Sequence, residues 1–149
     1  EYFREIAGAP GHALEKFKHF MPVTMHRYDA PADLFHMARI AATLVEDCGP
    51  CALVAAEGAV RDGVDSELVN AALKAEPPEG DLKTAFIFGA AIARQSIEAF
   101  TIGDAIEEAY GRTVRLELAM TAATVRAYPA MKRGLGLSKA CSLTPLSVG

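Results

Sequence analysis

The segment Asp47-Cys48-Gly49-Pro50-Cys51 constrains this chain more than any other, because two apolar helical stretches meet at it. One stretch, Leu34 to Val45, leads in; another, Ala52 to Val60, leads out. Two cysteines three residues apart can close a disulfide within one turn of backbone or contribute to a metal site. Glycine suits a left-handed residue that ends a helix, and proline suits a helix's first turn, so Gly49 and Pro50 are expected in those places. Cys48 then falls at the N-terminus of the second helix, where unpaired N–H groups and the helix dipole favour a thiolate. A thiolate is the nucleophile of thiol–disulfide exchange, so the expectation is a redox-active dithiol.

The rest of the chain has helical periodicity and no sustained alternation, which predicts an all-α fold. A first helix is expected from Gly11 to Phe20. A second, capped by Asp29 or Ala30 with Pro31 in its first turn, carries Leu34, Met37, Ile40, Ala41, Leu44 and Val45 on one core face. The third runs from Pro50 to about Arg61 and ends at Gly63. Asp65 caps the next, Ser66 to Ala75. Pro77 to Gly80 is a turn, and Asp81 caps a fifth helix with Phe86, Ile87 and Ile92. Within it, Gly89-Ala90-Ala91 permits close approach of a neighbour. A short piece, Gly103 to Tyr110, precedes a long helix from Arg112 to about Lys132, kinked or restarted at Pro129. Residues 134–149 read as a tail of a single domain spanning 1–149.

A chain of 149 residues, half of them hydrophobic, can build a real core. Net charge is −4 and no run of lysine or arginine occurs, which argues against nucleic acid or an anionic membrane as partner. The apolar run Ala85 to Ala93 is far shorter than the ~20 residues of a membrane helix. Charged Glu1, Arg4 and Glu5, with Pro10-Gly11 soon after, give no signal-peptide pattern. Three cysteines, an odd count, do not suit a secreted disulfide scaffold, so a reducing, cytoplasmic setting is expected.

Cys-Gly-Pro-Cys is also the active-site sequence of thioredoxins. There it follows a buried strand, usually with an aromatic residue just before it; here Asp47 takes that place and a helix precedes. A helix, a Cys-x-x-Cys heading the next helix, the Gly63-Val64-Asp65 ending and the late segment Tyr128 to Gly136 together resemble the alkylhydroperoxidase AhpD-like, or carboxymuconolactone decarboxylase, superfamily. The likeness extends from about His12 to Cys141. It implies an all-helical bundle assembled as a homo-oligomer, a trimer or hexamer. It further implies reduction of a hydroperoxide or small disulfide by the cysteine pair, recharged by a dithiol electron donor such as a lipoyl carrier protein. No cofactor is implied. The superfamily's motif places a glutamate twelve residues before the first cysteine and a histidine four after the second. This chain has His36 and Ala55 there, so the usual proton relay is absent as written. The likeness implies that positions 36 and 55 lie close. His36 is then expected to fill the space left by Ala55 and approach Cys51 as a relocated base, in a partly hydrated pocket. By the same analogy Cys51 attacks the peroxide and Cys48 resolves the sulfenic acid. The site residues expected on these grounds are Cys48, Cys51 and His36.

Other readings compete. Zinc usually takes four ligands, and the chain offers no second ligand pair beside Cys48 and Cys51, so no metal is expected. His12, His19 and His26 read as surface or interface residues, and Cys141 as a plain free thiol. Glu46 and Asp47 are expected to face solvent or an arginine, and Glu57 to point away from the motif. Phe86, Phe88 and Phe100 read as core or subunit contact. Two other functions stay open: a non-catalytic or redox-sensing helical oligomer, and a carboxymuconolactone decarboxylase-like enzyme. For the latter, no basic cluster suited to a dicarboxylate is evident.

Overall fold

A computed structural model describes residues 2–137 and 147–148. These residues form nine α-helices and one 3-10 helix, and no strand occurs among them. In chain order the helices are α1 (Tyr2–Gly8), α2 (Ala13–Phe20), a 3-10 helix (Met21–Met25), α3 (Ala32–Val45), α4 (Gly49–Arg61), α5 (Ser66–Leu73), α6 (Asp81–Arg94), α7 (Glu98–Tyr110), α8 (Arg112–Thr124) and α9 (Ala127–Gly134). Cys141 lies outside the described residues, as does most of the expected tail.

The centre of the fold is α3. It packs against α4, α5, α6 and α8, and every residue from Leu34 to Thr43 is buried. Periodicity marks one face of this helix as core; neighbours on several sides bury the others too. A helix surrounded in this way must also bury its polar residues. His36, Arg39, Thr43 and Glu46 follow one another at helical spacing and are all buried. Each has a polar partner, as buried polar groups require. His36 meets Asp62, Arg39 meets Thr24 and Thr121, Thr43 bonds back to the Arg39 carbonyl, and Glu46 meets Arg126 and Arg133.

α6 crosses α3 at Gly89, where an added Cβ would collide with the carbonyl of Ala38 and lie 2.7 Å from its Cα. The small-residue cluster thus does permit a close helix–helix approach. Gly63, at φ +88°, ends α4, and the Asp65 side chain accepts from the Glu67 and Leu68 N–H groups to cap α5.

Several boundaries differ from the sequence reading. α1 is an additional helix; Tyr2 and Phe3 on it stack against each other and meet Phe17 of α2 edge-on. Asp29 and Ala30 do not cap α3. Their N–H groups, with that of Tyr28, donate to the buried Glu117 carboxylate of α8. Gly80 precedes Asp81 at the start of α6, and α7 begins at Glu98 rather than Gly103. The long C-terminal helix is two helices, α8 and α9. Proline at 129 has no N–H to give the Val125 carbonyl, which accepts from Tyr128 instead at 3.3 Å, so the break falls one turn before the proline. Phe86 and Phe88 are core, whereas Phe100 is 67% exposed. No helix among the described residues is long and apolar enough to cross a membrane.

Candidate functional site

The turn between α3 and α4 holds the cysteines. Asp47, not Gly49, occupies the left-handed position, at φ +50°; aspartate tolerates that region better than most residues. Gly49 is released to begin α4 and Pro50 follows in its first turn, where a missing N–H is harmless. Cys48 is the residue immediately before α4 and Cys51 lies in the first turn, so their Cα atoms are 5.3 Å apart and the sulfurs form a disulfide. That separation falls in the ordinary range for bridged cysteines.

The two sulfur-bearing residues differ in access. Cys48 is buried at 4% exposure, whereas Cys51 is half-buried and lines a cavity of about 410 Å³. One wall is a face of α4, with Cys51, Val54, Ala55, Gly58 and Arg61 at helical spacing. Tyr2 and Phe3 of α1 and Met21 and Met25 of the 3-10 helix add largely apolar lining. Val125, Tyr128 and Lys132, from the C-terminal end of α8 through α9, close another side. Among the described residues, the charged ones lining it are Arg39, Arg61 and Lys132, all cationic, and no aspartate, glutamate or histidine lines it.

His36 is elsewhere. Its Nε2 lies 2.9 Å from Asp62 Oδ2, its Nδ1 has no hydrogen-bond partner, and its side chain is fully buried. A plain antiparallel hairpin turning at Gly49 sets position 36 opposite position 62, and that is the pairing found. Asp62 follows the last residue of α4, so roughly 16 Å of helix separates it from Cys51 at about 1.5 Å per residue. The expected approach of His36 to Cys51 across Ala55 is not formed. Nor is the imidazole in a hydrated pocket: Ala55 lines the cavity and His36 does not. Burial pushes the His36 pKa below its ordinary value; the bond to Asp62 opposes this, and Arg39 and Arg27 add to it.

Glu46 faces arginines, as expected of it or of solvent. Arg126 Nε donates to its Oε1 at 2.5 Å, and Arg133 donates to its Oε2 at 3.4 Å and to its backbone carbonyl at 2.7 Å. These bonds hold α9 against the end of α3, beside the cysteine turn. Glu57, His12, His19 and His26 are exposed. No group of three or more metal-ligating side chains comes together among the described residues.

Sequence reasoning missed Arg39 and Glu117. Arg39 is 7% exposed inside the central helix, and its Nη1 donates to the Thr24 carbonyl at 2.6 Å and to Thr121 Oγ1 at 3.2 Å. The available signal was a lone arginine in the apolar run Leu34 to Val45. Glu117, between Leu116 and Leu118, gave the same kind of signal. In comparison with known proteins, the chain matches no protein-family model, no curated protein and no solved structure.

Proposed function

We propose that this protein is a dithiol oxidoreductase that reduces a small hydroperoxide through Cys51 and Cys48. The observation that carries the reading is the asymmetry of the pair: Cys51 lines the cavity and Cys48 is buried beside it. In the reduced protein the Cys51 thiolate attacks the distal peroxide oxygen. The O–O bond breaks, the leaving alkoxide takes a proton from solvent and departs as an alcohol, and Cys51 becomes a sulfenic acid. The Cys48 thiol attacks that sulfur, water leaves, and the disulfide forms. A dithiol donor then reduces the disulfide by two exchange steps and is itself oxidised to a disulfide. Such a donor is plentiful in a reducing compartment such as the cytoplasm, and a lipoyl group is one chemical candidate. The AhpD-like resemblance of the motif supports the same reading, as does a helix N-terminus beside the thiols.

A second reading, reduction of a small disulfide, is favoured because no imidazole or carboxylate lines the cavity among the described residues. Thiol–disulfide exchange needs a thiolate and a good leaving thiol, and no positioned base once the thiolate exists. Exposed Ile97, Phe100 and Leu116 support a homo-oligomer, with a trimer or hexamer proposed from the resemblance.

The test is consumption of cumene hydroperoxide with dithiothreitol as donor, run beside reduction of a small aromatic disulfide. Turnover of either, abolished by Cys51→Ser, supports a dithiol oxidoreductase. With Cys48→Ser, one peroxide equivalent should leave a sulfenic acid on Cys51. No turnover of either substrate, and no oxidation of Cys51 by peroxide, would remove the reading.

A further inference from the structure

Arg39 uses only part of its guanidinium inside the protein. Nη1 makes both of its hydrogen bonds, to Thr24 and Thr121, and Nε and Nη2 have no hydrogen-bond partner among the described residues. No carboxylate lies within ion-pairing distance of it among those residues, although its side chain is more than nine-tenths buried. A buried charge of this kind is normally paired. Asp62 is near enough to act on Arg39 through space, but its carboxylate bonds His36. Arg39 lines the cavity, and of its guanidinium donors only Nη1 is taken up by the described residues. Nε–H and Nη2–H point along parallel directions in a guanidinium, the fork that takes a carboxylate with two hydrogen bonds.

The hairpin register gives the level of the Arg39 backbone along α4. If position 36 is level with 62, position 39 is level with about 59, near Arg61 and far from Cys51. The cavity wall on α4 runs from Cys51 to Arg61, roughly 15 Å at about 1.5 Å per residue. Between them the wall is Val54, Ala55 and Gly58, which offer no side-chain hydrogen bond. Along α4 the cavity therefore has Cys51 at one end, Arg61 and the level of Arg39 toward the other, and no polar side chain between, while Thr24, Tyr128 and Lys132 line it from other elements.

We propose that this cavity binds an apolar monocarboxylate, its carboxylate held by the Nε and Nη2 donors of Arg39 and its chain lying along α4 toward Cys51. From Cys51 to position 59, the level of Arg39, is roughly 12 Å, and an extended chain advances about 1.25 Å per carbon–carbon bond of about 1.5 Å, so roughly ten carbons span that distance. A cavity of about 410 Å³ lies within the usual range of small-molecule sites. Read with the proposed dithiol chemistry, on which this part rests, the substrate is an acid that carries its peroxide or disulfide about ten atoms from its carboxylate.

The test is binding, so that it does not depend on turnover. Decanoate and methyl decanoate are titrated into the full chain, with isothermal calorimetry and ¹⁵N NMR of the arginine Nε–H groups. Decanoate should bind at least tenfold more tightly than the ester, and the Arg39 Nε–H resonance should shift as the site fills. Arg39→Met should remove the preference for the acid while ester binding persists; Arg39→Lys should retain part of it. The wild-type comparison and the Arg39 resonance need no variant, so a variant that fails to fold leaves the test intact. Equal binding of acid and ester, or saturation by decanoate without a shift at Arg39, would overturn the proposal. Selective decanoate binding by a protein without peroxide or disulfide turnover upholds the carboxylate site and removes the dithiol reading. Turnover together with equal binding of acid and ester does the reverse.

Discussion

His36 Nε2 lies 2.9 Å from Asp62 Oδ2, and the pair ties α3 to the end of α4 remote from the disulfide. The imidazole is fully buried and its pKa is lowered, first by desolvation and further by Arg39 and Arg27, with Asp62 acting against them. A neutral ring donates Nε2–H to the carboxylate and leaves Nδ1 as a buried acceptor without a partner. A charged ring would need protonation of Nδ1 in that same sealed place.

The first prediction follows from the sign of that shift. In the unfolded chain His36 takes a proton near 6.5, and in the folded chain it takes one only at lower pH. The unfolded state therefore binds more protons between the two values, and stability rises with pH across that window. The contribution is complete above about pH 6.5 and is lost as pH falls toward the folded value. Urea unfolding of the wild type from pH 8 to pH 5 should show a decline that is shallower in His36→Gln. Parallel pH profiles for the two proteins would show that His36 is not responsible.

The second prediction concerns the thiols. After reduction, Cys51 should react with iodoacetamide several-fold faster than Cys48, because it lines the cavity and Cys48 is 4% exposed. Peptide mass mapping at short reaction times reads the ratio directly. Faster labelling of Cys48 would invert the assigned roles.

Much of this arrangement was legible in the sequence. Gly-Pro within the motif placed Cys51 in a first helical turn, and Gly63 and Asp65 marked the next junction, because these residues act through local backbone preferences. Asp47 took the left-handed position expected of Gly49, a shift of two residues within the same short turn. The position of His36 was a matter of register between two helices. Spacing along one helix does not determine its partner on another, and the AhpD-like resemblance led toward Ala55, whereas the folded hairpin sets His36 against Asp62. Arg39 and Glu117 escaped for a different reason. A charged residue in an apolar run is ordinarily a solvent-facing one, and only the packing of α3, α8 and the 3-10 helix around them shows that these two face inward.

The third prediction concerns Glu117. Its carboxylate accepts from Tyr28 and Ala30 at 2.7 Å each and from Asp29 at 3.2 Å, and so fixes the segment that enters α3. Replacing it with alanine leaves three N–H groups without that acceptor and a space in the core. Hydrogen bonds to a charged group contribute about 1.5–3 kcal/mol each, and they do not add fully when they act as a unit. Glu117→Ala should lose about 3 kcal/mol or more, read from the urea midpoint at constant m-value. Glu117→Gln, which keeps one acceptor oxygen, should lose less. A loss below about 1 kcal/mol in the alanine variant would place the segment's stability elsewhere.

The last prediction compares one substitution at two helical glycines. At Gly58, on α4, an added Cβ meets nothing within 4 Å. Alanine there restricts the unfolded chain and suits a helix, so Gly58→Ala should raise stability by up to about 1 kcal/mol. At Gly89 the same methyl meets the backbone of Ala38, with its carbonyl carbon and Cα both at 2.7 Å. Backbone in the centre of a packed helix cannot rotate aside as a flexible side chain can. α3 and α6 must then separate, which disturbs the most extensive helix–helix contact among the described residues. Overpacking of this kind typically costs about 1–3 kcal/mol and occasionally more, against a helix-propensity gain of about 1. Contacts this close put the cost at the upper end of that range, so Gly89→Ala should be destabilised by up to about 2 kcal/mol net while Gly58→Ala gains. Chemical denaturation of the two variants beside the wild type decides it. Equal and favourable shifts in both would mean that the α3–α6 crossing is looser at Ala38 than the backbone positions require.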